Sequence, residues 1–379
     1  MNQPARRGTL ASIAAELGVS RTTVSNAYNR PGQLSEELRT KILQTAEKMG
    51  YPGPDPIARS LRIQRAGAVG VLLTEELTYA FDDQASVEFM SGVSQACGEM
   101  GVSMLLIPAG VQSDGKDATA LINQAAVDGF IVYSVADEDP YLEAAISRGR
   151  PVVICDQPAG REGLRFVGID DREAIKPVVR RLVDAGHRKI GILCIRLDRE
   201  PNNGPVSQDR LAGARMNVQR DRVTGALEIL AEAGIDAASV PLVERHINDA
   251  ETTEDAAREL LENNPDLTAV VCTTDSMALG LLRYADSEGI DVPGDLSVTG
   301  FDGIPQAEAE GIVTVRQPSR TKGRLSGEHL AEEIRARRKA AKNRKSAPSR
   351  AQSETPPAVY LETTVLDGTS IAAPRALSS

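Results

Sequence analysis

Arg21, Thr22, Ser25, Asn26 and Asn29 fall in one short run and would share one side of a helix. All five have hydrogen-bonding side chains of the kind that read base edges or hold phosphates. No other part of the chain offers an equally clear chemistry. There are three histidines, His187, His246 and His329, and no His-Glu metal motif, serine elbow or phosphate loop. Gly67-Ala-Val-Gly70 is too sparse for a dinucleotide fingerprint. Cys97, Cys155, Cys194 and Cys272 lack metal-type spacing, and the last three sit in apolar strand-like runs, so they read as buried free thiols in a reducing cytoplasm. The residues therefore point to binding, with no cofactor, no metal and no enzyme activity.

The elements that would position the polar set are legible. Leu10, Ile13, Ala14 and Leu17 recur at helical spacing, with Thr9 placed to cap the start and Gly18 to end the helix. Ser20 caps a second helix, and Val24 points back at the first. Two short helices around a Gly-Val-Ser turn make a helix-turn-helix. Ser35 caps a third helix lined by Leu38, Ile42, Ala46 and Met49. Residues 1–65 carry a net charge of +5, whereas the rest of the chain carries −15 within a total of −10. A basic head on an acidic body keeps contact with a polyanion local. Asp55 and Pro56 can then start a helix over Ile57 to Arg62, which is too short to be stable alone and so suits a two-state hinge.

The run from Thr9 to Arg62 resembles the headpiece and hinge of the lactose-repressor (LacI) family. The matching residues are Val19-Ser20, Thr23-Val24-Ser25, Asn29, Lys41-Ile42, Gly50-Tyr51 and Ala58-Arg59-Ser60-Leu61. The resemblance implies that Thr9, Ser20, Arg21, Thr22, Thr23, Ser25, Asn26 and Asn29 belong to a major-groove surface. It also implies that Leu61 wedges into the minor groove and that Ala58 and Arg59 belong to the DNA-binding set. Asn26 stands where many members carry Arg, so the operator sequence does not transfer from a relative.

After Gly67, short apolar runs alternate with amphipathic helical stretches. Strands are expected at Ala68–Leu73, Val102–Ile107, Gly129–Ser134, Pro151–Cys155, Arg165–Ile169, Lys189–Ile195, Thr268–Cys272 and Leu296–Gly300. This rhythm describes parallel sheets covered by helices in two similar lobes, with a ligand site between them. The LacI resemblance continues here through Phe166-Val-Gly-Ile-Asp-Asp171, Gly186-His-Arg-Lys-Ile-Gly191, Asp275-Ser-Met-Ala-Leu-Gly280, Phe301-Asp302 and Thr314-Val-Arg-Gln-Pro318. The expected fold is an all-α helix-turn-helix headpiece with a hinge helix, then an α/β two-lobed periplasmic-binding-protein-like effector domain. The expected boundaries are 1–53 for the headpiece, 54–66 for the hinge, 67–368 for the effector domain and 369–379 for a tail. The family's three crossings between lobes are expected near Gln157, Asp291 and Gln317, which gives lobe 1 about 67–157 and 292–317, and lobe 2 about 158–291 and 318–368.

Asp156, Arg222 and Asp275 are the candidates for the cleft, since a carboxylate and a guanidinium can share adjacent ring hydroxyls. The resemblance assigns the family's ligand-binding Arg and Asp to Arg222 and Asp275. Tyr79 or Phe81 could stack on a ring, or serve packing or dimer contact. Asn248 stands where many sugar-responsive members place Trp, and this chain has no Trp. Sugars, nucleosides and other polyhydroxylated metabolites all remain open as effectors. The implied function is a cytoplasmic homodimeric repressor on double-stranded operator DNA, released by an inducer. The alternative is a repressor that needs a nucleoside or nucleobase corepressor. No apolar run is long enough for a membrane helix, and the start lacks a signal-peptide core.

Two insertions stand out. Residues 197–221 either cover the cleft or form a mobile surface loop, and their Asn, Pro and Arg content favours the loop. Residues 335–357 begin with eight basic and no acidic residues from Arg335 to Gln352. This block reads as a disordered loop far from the headpiece whose trimming should leave operator affinity unchanged; extra nonspecific DNA contact is the alternative reading.

Overall fold

In the computed structural model, residues 8–53, 65–73, 77–109, 115–342 and 357–374 are described. The chain divides after Ala66 into two compact units.

The first unit holds three helices, α1 (Leu10–Leu17), α2 (Arg21–Asn29) and α3 (Glu36–Lys48). Thr9, Ser20 and Ser35 cap them as their positions predict, and Gly18 ends α1 in the left-handed region at φ 65°. Ile13, Ala14, Val24, Ala27, Ile42 and Ala46 form the core. Tyr28 and Tyr51 close one side edge to face, with ring centroids 6.0 Å apart. The expected hinge helix, with Ala58, Arg59 and Leu61, lies outside the described residues.

The second unit contains two sheets. The first has β1 (Ala68–Leu73), β2 (Ser103–Pro108), β3 (Phe130–Tyr133), β4 (Val152–Cys155), β5 (Arg165–Gly168) and the short β12 (Val359–Tyr360), in the order β12-β5-β4-β3-β1-β2. The second has β6 (Ile190–Ile195), β7 (Gly204–Pro205), β8 (Leu242–Arg245), β9 (Ala269–Cys272), β10 (Ser297–Asp302), β11 (Val313–Arg316) and β13 (Thr364–Leu366), in the order β13-β11-β10-β9-β6-β8-β7. The five-strand parallel core of each sheet has one winding, with the second strand outside the first and the third, fourth and fifth following on the other side. Both sheets therefore aim the carboxyl ends of their strands at a shared crevice.

This pairing corrects the expected lobe limits. Cys155 pairs with Val167, so β5 belongs to lobe 1 and the chain crosses at Ile169, not near Gln157. Val298 pairs with Val270, so β10 and β11 extend lobe 2 and there is no crossing near Asp291. The crossing near Gln317 is present. The third falls between Tyr360 and Thr364, since Val359 and Tyr360 pair with β5 and Thr364 to Leu366 pair with β11. The physical reason is that β5 and β11 each pair within the sheet already begun, so the chain crosses only after them. Residues 369–374 are no loose tail either. The Ser370 hydroxyl donates to the Val298 carbonyl at 2.6 Å and accepts from Val313 N at 2.9 Å.

The helices of lobe 1 are α4 (Leu77–Asp82), α5 (Gln84–Met100), α6 (Gly115–Gln124), α7 (Pro140–Ser147) and, from the C-terminal part of the chain, α14 (Ser319–Lys342). Lobe 2 carries α8 (Asp171–Asp184), α9 (Gln208–Ala212), α10 (Asn217–Glu232), α11 (Ala250–Asn263), α12 (Asp275–Glu288) and α13 (Pro305–Ala309). Backbones of α5 and α14 touch. A Cβ on Gly92 would lie 2.0 Å from the Arg320 carbonyl, and one on Gly323 would lie 2.1 Å from the Phe89 carbonyl.

Both insertions depart from expectation. Residues 335–342 continue α14 as helix, and 343–356 lie outside the described residues. The 197–221 segment is built rather than loose, because the wholly buried Glu244 binds it. Its carboxylate accepts from Leu197 N at 2.7 Å, Asn202 Nδ2 at 3.0 Å and Arg210 Nη2 at 2.8 Å. The segment reaches across to lobe 1, where Asp137 N donates to the Arg215 carbonyl at 3.1 Å and Arg199 pairs with Asp139 at 3.6 Å. The segment is thus an ordered contact between the lobes, and of its residues Val218 and Gln219 line the cavity between them. The four cysteines are free and buried, as expected.

Candidate functional site

On α2, the polar residues divide by what holds them. Ser20 Oγ accepts from Thr23 N at 3.0 Å, and the two hydroxyls lie 2.8 Å apart. Thr9 is likewise committed to a capping box with Ser12. Asn29 Nδ2 donates to the Ser25 carbonyl at 2.9 Å and to Ser25 Oγ at 3.1 Å, so this pair braces the end of α2. Arg21 and Thr22 are exposed, and Asn26 makes only a long 3.3 Å bond to Gln33 Oε1. Arg21, Thr22 and Asn26 are thus the least occupied donors of the set, at the amino-terminal part of a helix whose rear packs on α1.

The second candidate site is a cavity between the two sheets. Leu73, Tyr133, Asp156, Ile195 and Asp302 reach it from strand ends, and Tyr79, Asp83, Gln219, Arg222, Asn248 and Gln317 close it. Among the described residues, five non-glycine residues have positive φ, and four of them line this cavity: Ser134 (54°), Asp156 (68°), Arg196 (30°) and Asp302 (126°). Each such residue costs about 1–3 kcal/mol, so backbone strain is concentrated where polar side chains converge.

Charge here is short of balance. Arg222 Nε donates to Asp171 Oδ1 at 2.8 Å, and its Nη1 donates to the Thr273 carbonyl at 2.8 Å and to Asp302 Oδ1 at 3.4 Å. The guanidinium lies flat on Phe301, 3.7 Å from the ring centroid. One cation thus serves two buried carboxylates. Burial pushes Asp171 up to about 6, with Arg222 opposing. Burial pushes Asp302 up to about 8, with Arg222 opposing and Asp275 and Asp83 adding to the rise. At neutral pH, Asp302 is mostly a carboxylic acid, able both to donate and to accept a hydrogen bond. On the facing lobe, the buried Lys322 gives its three donors to Asp156 Oδ1 (2.7 Å), Asp156 Oδ2 (2.8 Å) and Gln317 Oε1 (2.6 Å). Gln317 in turn donates to Asp302 Oδ1 at 2.6 Å. A continuous network therefore runs Lys322–Gln317–Asp302–Arg222 from lobe to lobe.

Tyr79 crosses the same gap from lobe 1. Its hydroxyl donates to Asn248 Oδ1, and the Arg196 guanidinium sits 5.3 Å over its ring. Gln157 ties the lobes from below, accepting from Val218 N at 2.8 Å and donating to Gln219 Oε1 at 3.2 Å.

Four of the six expected cleft residues, Tyr79, Asp156, Arg222 and Asn248, meet in this cavity. Two do not. Phe81 is 58% exposed and away from the cavity, because α4 turns it outward while Ala80 faces the core. Asp275 is wholly buried behind β10, where it accepts from Thr314 Oγ1 at 2.6 Å and Ile304 N at 2.8 Å. It holds the loop after β10, and the carboxylate that reaches the cavity is Asp302. Asp302 stands in the quoted Phe301-Asp302 pair at a strand end, a signal open to sequence reasoning. Asp171, Gln317 and Lys322 were missed as well, and only the lobe exchange of α14 brings Lys322 to the site. Among the described residues, no cluster of acidic, His and Cys side chains could hold a metal ion, and no helix is long and apolar enough to cross a membrane.

Comparison with known proteins agrees with both units. Residues 9–53 match the model for bacterial regulatory proteins of the lacI family, and residues 66–355 match that for periplasmic binding proteins and the sugar binding domain of the LacI family. The chain is 56% identical over 336 residues to the HTH-type transcriptional regulator IpsA of Corynebacterium glutamicum, covering 88% of this chain and 93% of that protein. It resembles the crystal structure of a LacI-family transcriptional regulator from the same species with a TM-score of 0.73 at 50% identity, covering 96% and 99% of the two chains. A cellobiose complex of the transcriptional regulator CelR aligns with a TM-score of 0.66 at 25% identity, over 96% of this chain and all of that one.

Proposed function

The chain belongs to the LacI family, a DNA-binding transcriptional regulator with a sugar-binding-type domain, and on that premise we propose that it is a homodimeric cytoplasmic repressor released from a palindromic operator by a polyhydroxylated small molecule. The single observation that carries the effector class is the polar cavity itself. Asp302, Arg222, Gln317, Asn248 and Asp156 converge there from both lobes, with the Tyr79 and Tyr133 rings beside them. Such a set recognises several hydroxyls by direction and charge rather than by a stacked flat face. The relative CelR, whose complex holds cellobiose, supports the same class.

The proposed mechanism follows from what ties the lobes. An effector that bonds to Asp302 and Asn248 competes with Gln317 and Tyr79 for the same groups. It thereby favours a different lobe angle, and the operator-binding state loses population by the ligand's differential affinity. In the DNA reading, Arg21, Thr22 and Asn26 contact base edges, the Thr9, Ser20 and Thr23 helix starts sit at phosphates, and Leu61 wedges the minor groove.

The test is a gel shift on the DNA flanking the protein's own gene, repeated with pools of sugars, other polyols and nucleosides. Release by a polyol pool is the expected result. Tightening by any pool, or response to nucleosides alone, would refute the inducer reading.

A further inference from the structure

Gly67 is the first residue of the second unit, and its amide donates to Asp128 Oδ2 at 3.0 Å. Arg338, in the last turns of α14, pairs with the same oxygen at 3.2 Å. Asp128 therefore fastens the basic end of α14 beside the point from which the headpiece is tethered. Strand polarity explains the placement. The strands β1, β3 and β4 run parallel, so Gly67, Asp128 and Arg150, which precede them, share the end opposite the effector cavity. The helix α14 starts beside the cavity, where Lys322 binds Asp156, and its 24 residues carry it about 36 Å to that far end.

The charge at this end is one-sided. Arg335, Arg337 and Lys339 are exposed on α14, and Arg150 is exposed on the turn after α7. The two elements touch, since Arg337 donates to the Gly149 carbonyl. Burial and then the neighbouring Arg150 pull the Arg148 guanidinium below its usual range, as crowded positive charge should. Asp128 is buried and already paired, while Glu332 and Glu333 share the single cation Arg165, which leaves one negative charge on α14. In a domain whose net charge is −15, an exposed end where Arg150, Arg335, Arg337 and Lys339 outnumber the surplus carboxylate fits an anionic partner. The headpiece keeps DNA close, because residues 54–66 span at most about 45 Å even fully extended.

We propose that this end of lobe 1, with Arg150 beside Arg337 on one flank of α14 and Arg335 and Lys339 on another, is a second DNA contact that grips backbone phosphates of the duplex without reading sequence. It supplies affinity and leaves specificity to the headpiece. This takes up the alternative reading of the basic segment, extra nonspecific DNA contact.

The experiment compares the full-length protein with its Arg150→Gln/Arg335→Gln/Lys339→Gln variant. Binding to operator and to an unrelated duplex is followed by fluorescence anisotropy across a salt series. Each phosphate contact contributes about 0.9 to the slope of log affinity against log salt, so the slope should flatten by about 2–3 per protomer. Affinity should fall in equal proportion on both duplexes. The charge-keeping Arg335→Lys/Lys339→Arg variant should retain the wild-type slope, which separates charge from helix damage. An unchanged slope and affinity in the triple variant would overturn the proposal, even if it lost affinity for RNA or anionic vesicles. Because the unrelated duplex gives its own slope, a failure to find the operator would count against the repressor reading alone.

Discussion

Asp302→Asn isolates the charge imbalance at the cavity. Both hydrogen bonds to Asp302 end on Oδ1, from Gln317 Nε2 at 2.6 Å and Arg222 Nη1 at 3.4 Å. An asparagine carbonyl can keep both, leaving its amide for the cavity. The carboxyl is raised from its ordinary 3.8 to about 8, chiefly by burial. A raised folded-state value means that the native protein holds a proton the unfolded chain has already lost. The resulting stability is full below pH 3.8 and fades as pH rises through 8. Asp171 contributes with the same sign but is spent by about pH 6. Between pH 6 and 8, Asp302 alone therefore costs the wild type about 2 kcal/mol relative to the Asn variant. Groups shared by both proteins cancel in the difference. Urea unfolding of both proteins without ligand, at half-unit steps of pH, reads it directly. The gap should widen with rising pH in favour of Asp302→Asn. A gap constant across that window would show that Asp302 ionises normally, and the charge argument for the cavity would fail.

Three other substitutions probe separate parts of the account. Lys322→Met strands Asp156 as a buried carboxylate without a counter-ion, and should cost about 3–5 kcal/mol in denaturant stability; a loss under 1 kcal/mol would show that Lys322 is dispensable. Asp275→Ala leaves the Ile304 amide and Thr314 hydroxyl unsatisfied and should cost about 2–4 kcal/mol, so a stable variant deaf only to ligand would restore Asp275 as a binding residue. Asn26→Ala should weaken operator binding by about 1–3 kcal/mol yet leave unrelated DNA unaffected, and equal loss on both would make Asn26 a backbone contact.

Local signals carried most of the architecture. Thr9, Ser20 and Ser35 announced their helices because capping is settled within a few residues. The eight expected strands all formed, since buried parallel strands read as apolar runs. The strands β8 and β11 escaped notice. Their charged ends, Glu244-Arg245 and Arg316, conceal short runs whose burial is decided by partners far away in sequence. Lobe membership was not legible for the same reason: nothing near Gly168 says that β5 pairs with β4. At the cavity, Arg222 and Asp156 stood out by residue type and position. The choice between Asp275 and Asp302 did not, because both are acidic, both sit near strand ends, and they differ only in which side of β10 they face. The 197–221 segment misled through composition. Its polar residues suggested a loose loop, but Glu244, distant in sequence, gives them partners.

The most direct test of the central claim is a paired release titration. Wild type and Asp302→Asn, each bound to labelled operator, are titrated with the polyol pool that releases the wild type. The account predicts release of wild type and a requirement for about 2- to 10-fold more effector in the variant, from loss of the neutral carboxyl's paired donor and acceptor on an effector hydroxyl, worth about 0.5–1.5 kcal/mol. Release of both proteins at the same concentration would contradict it.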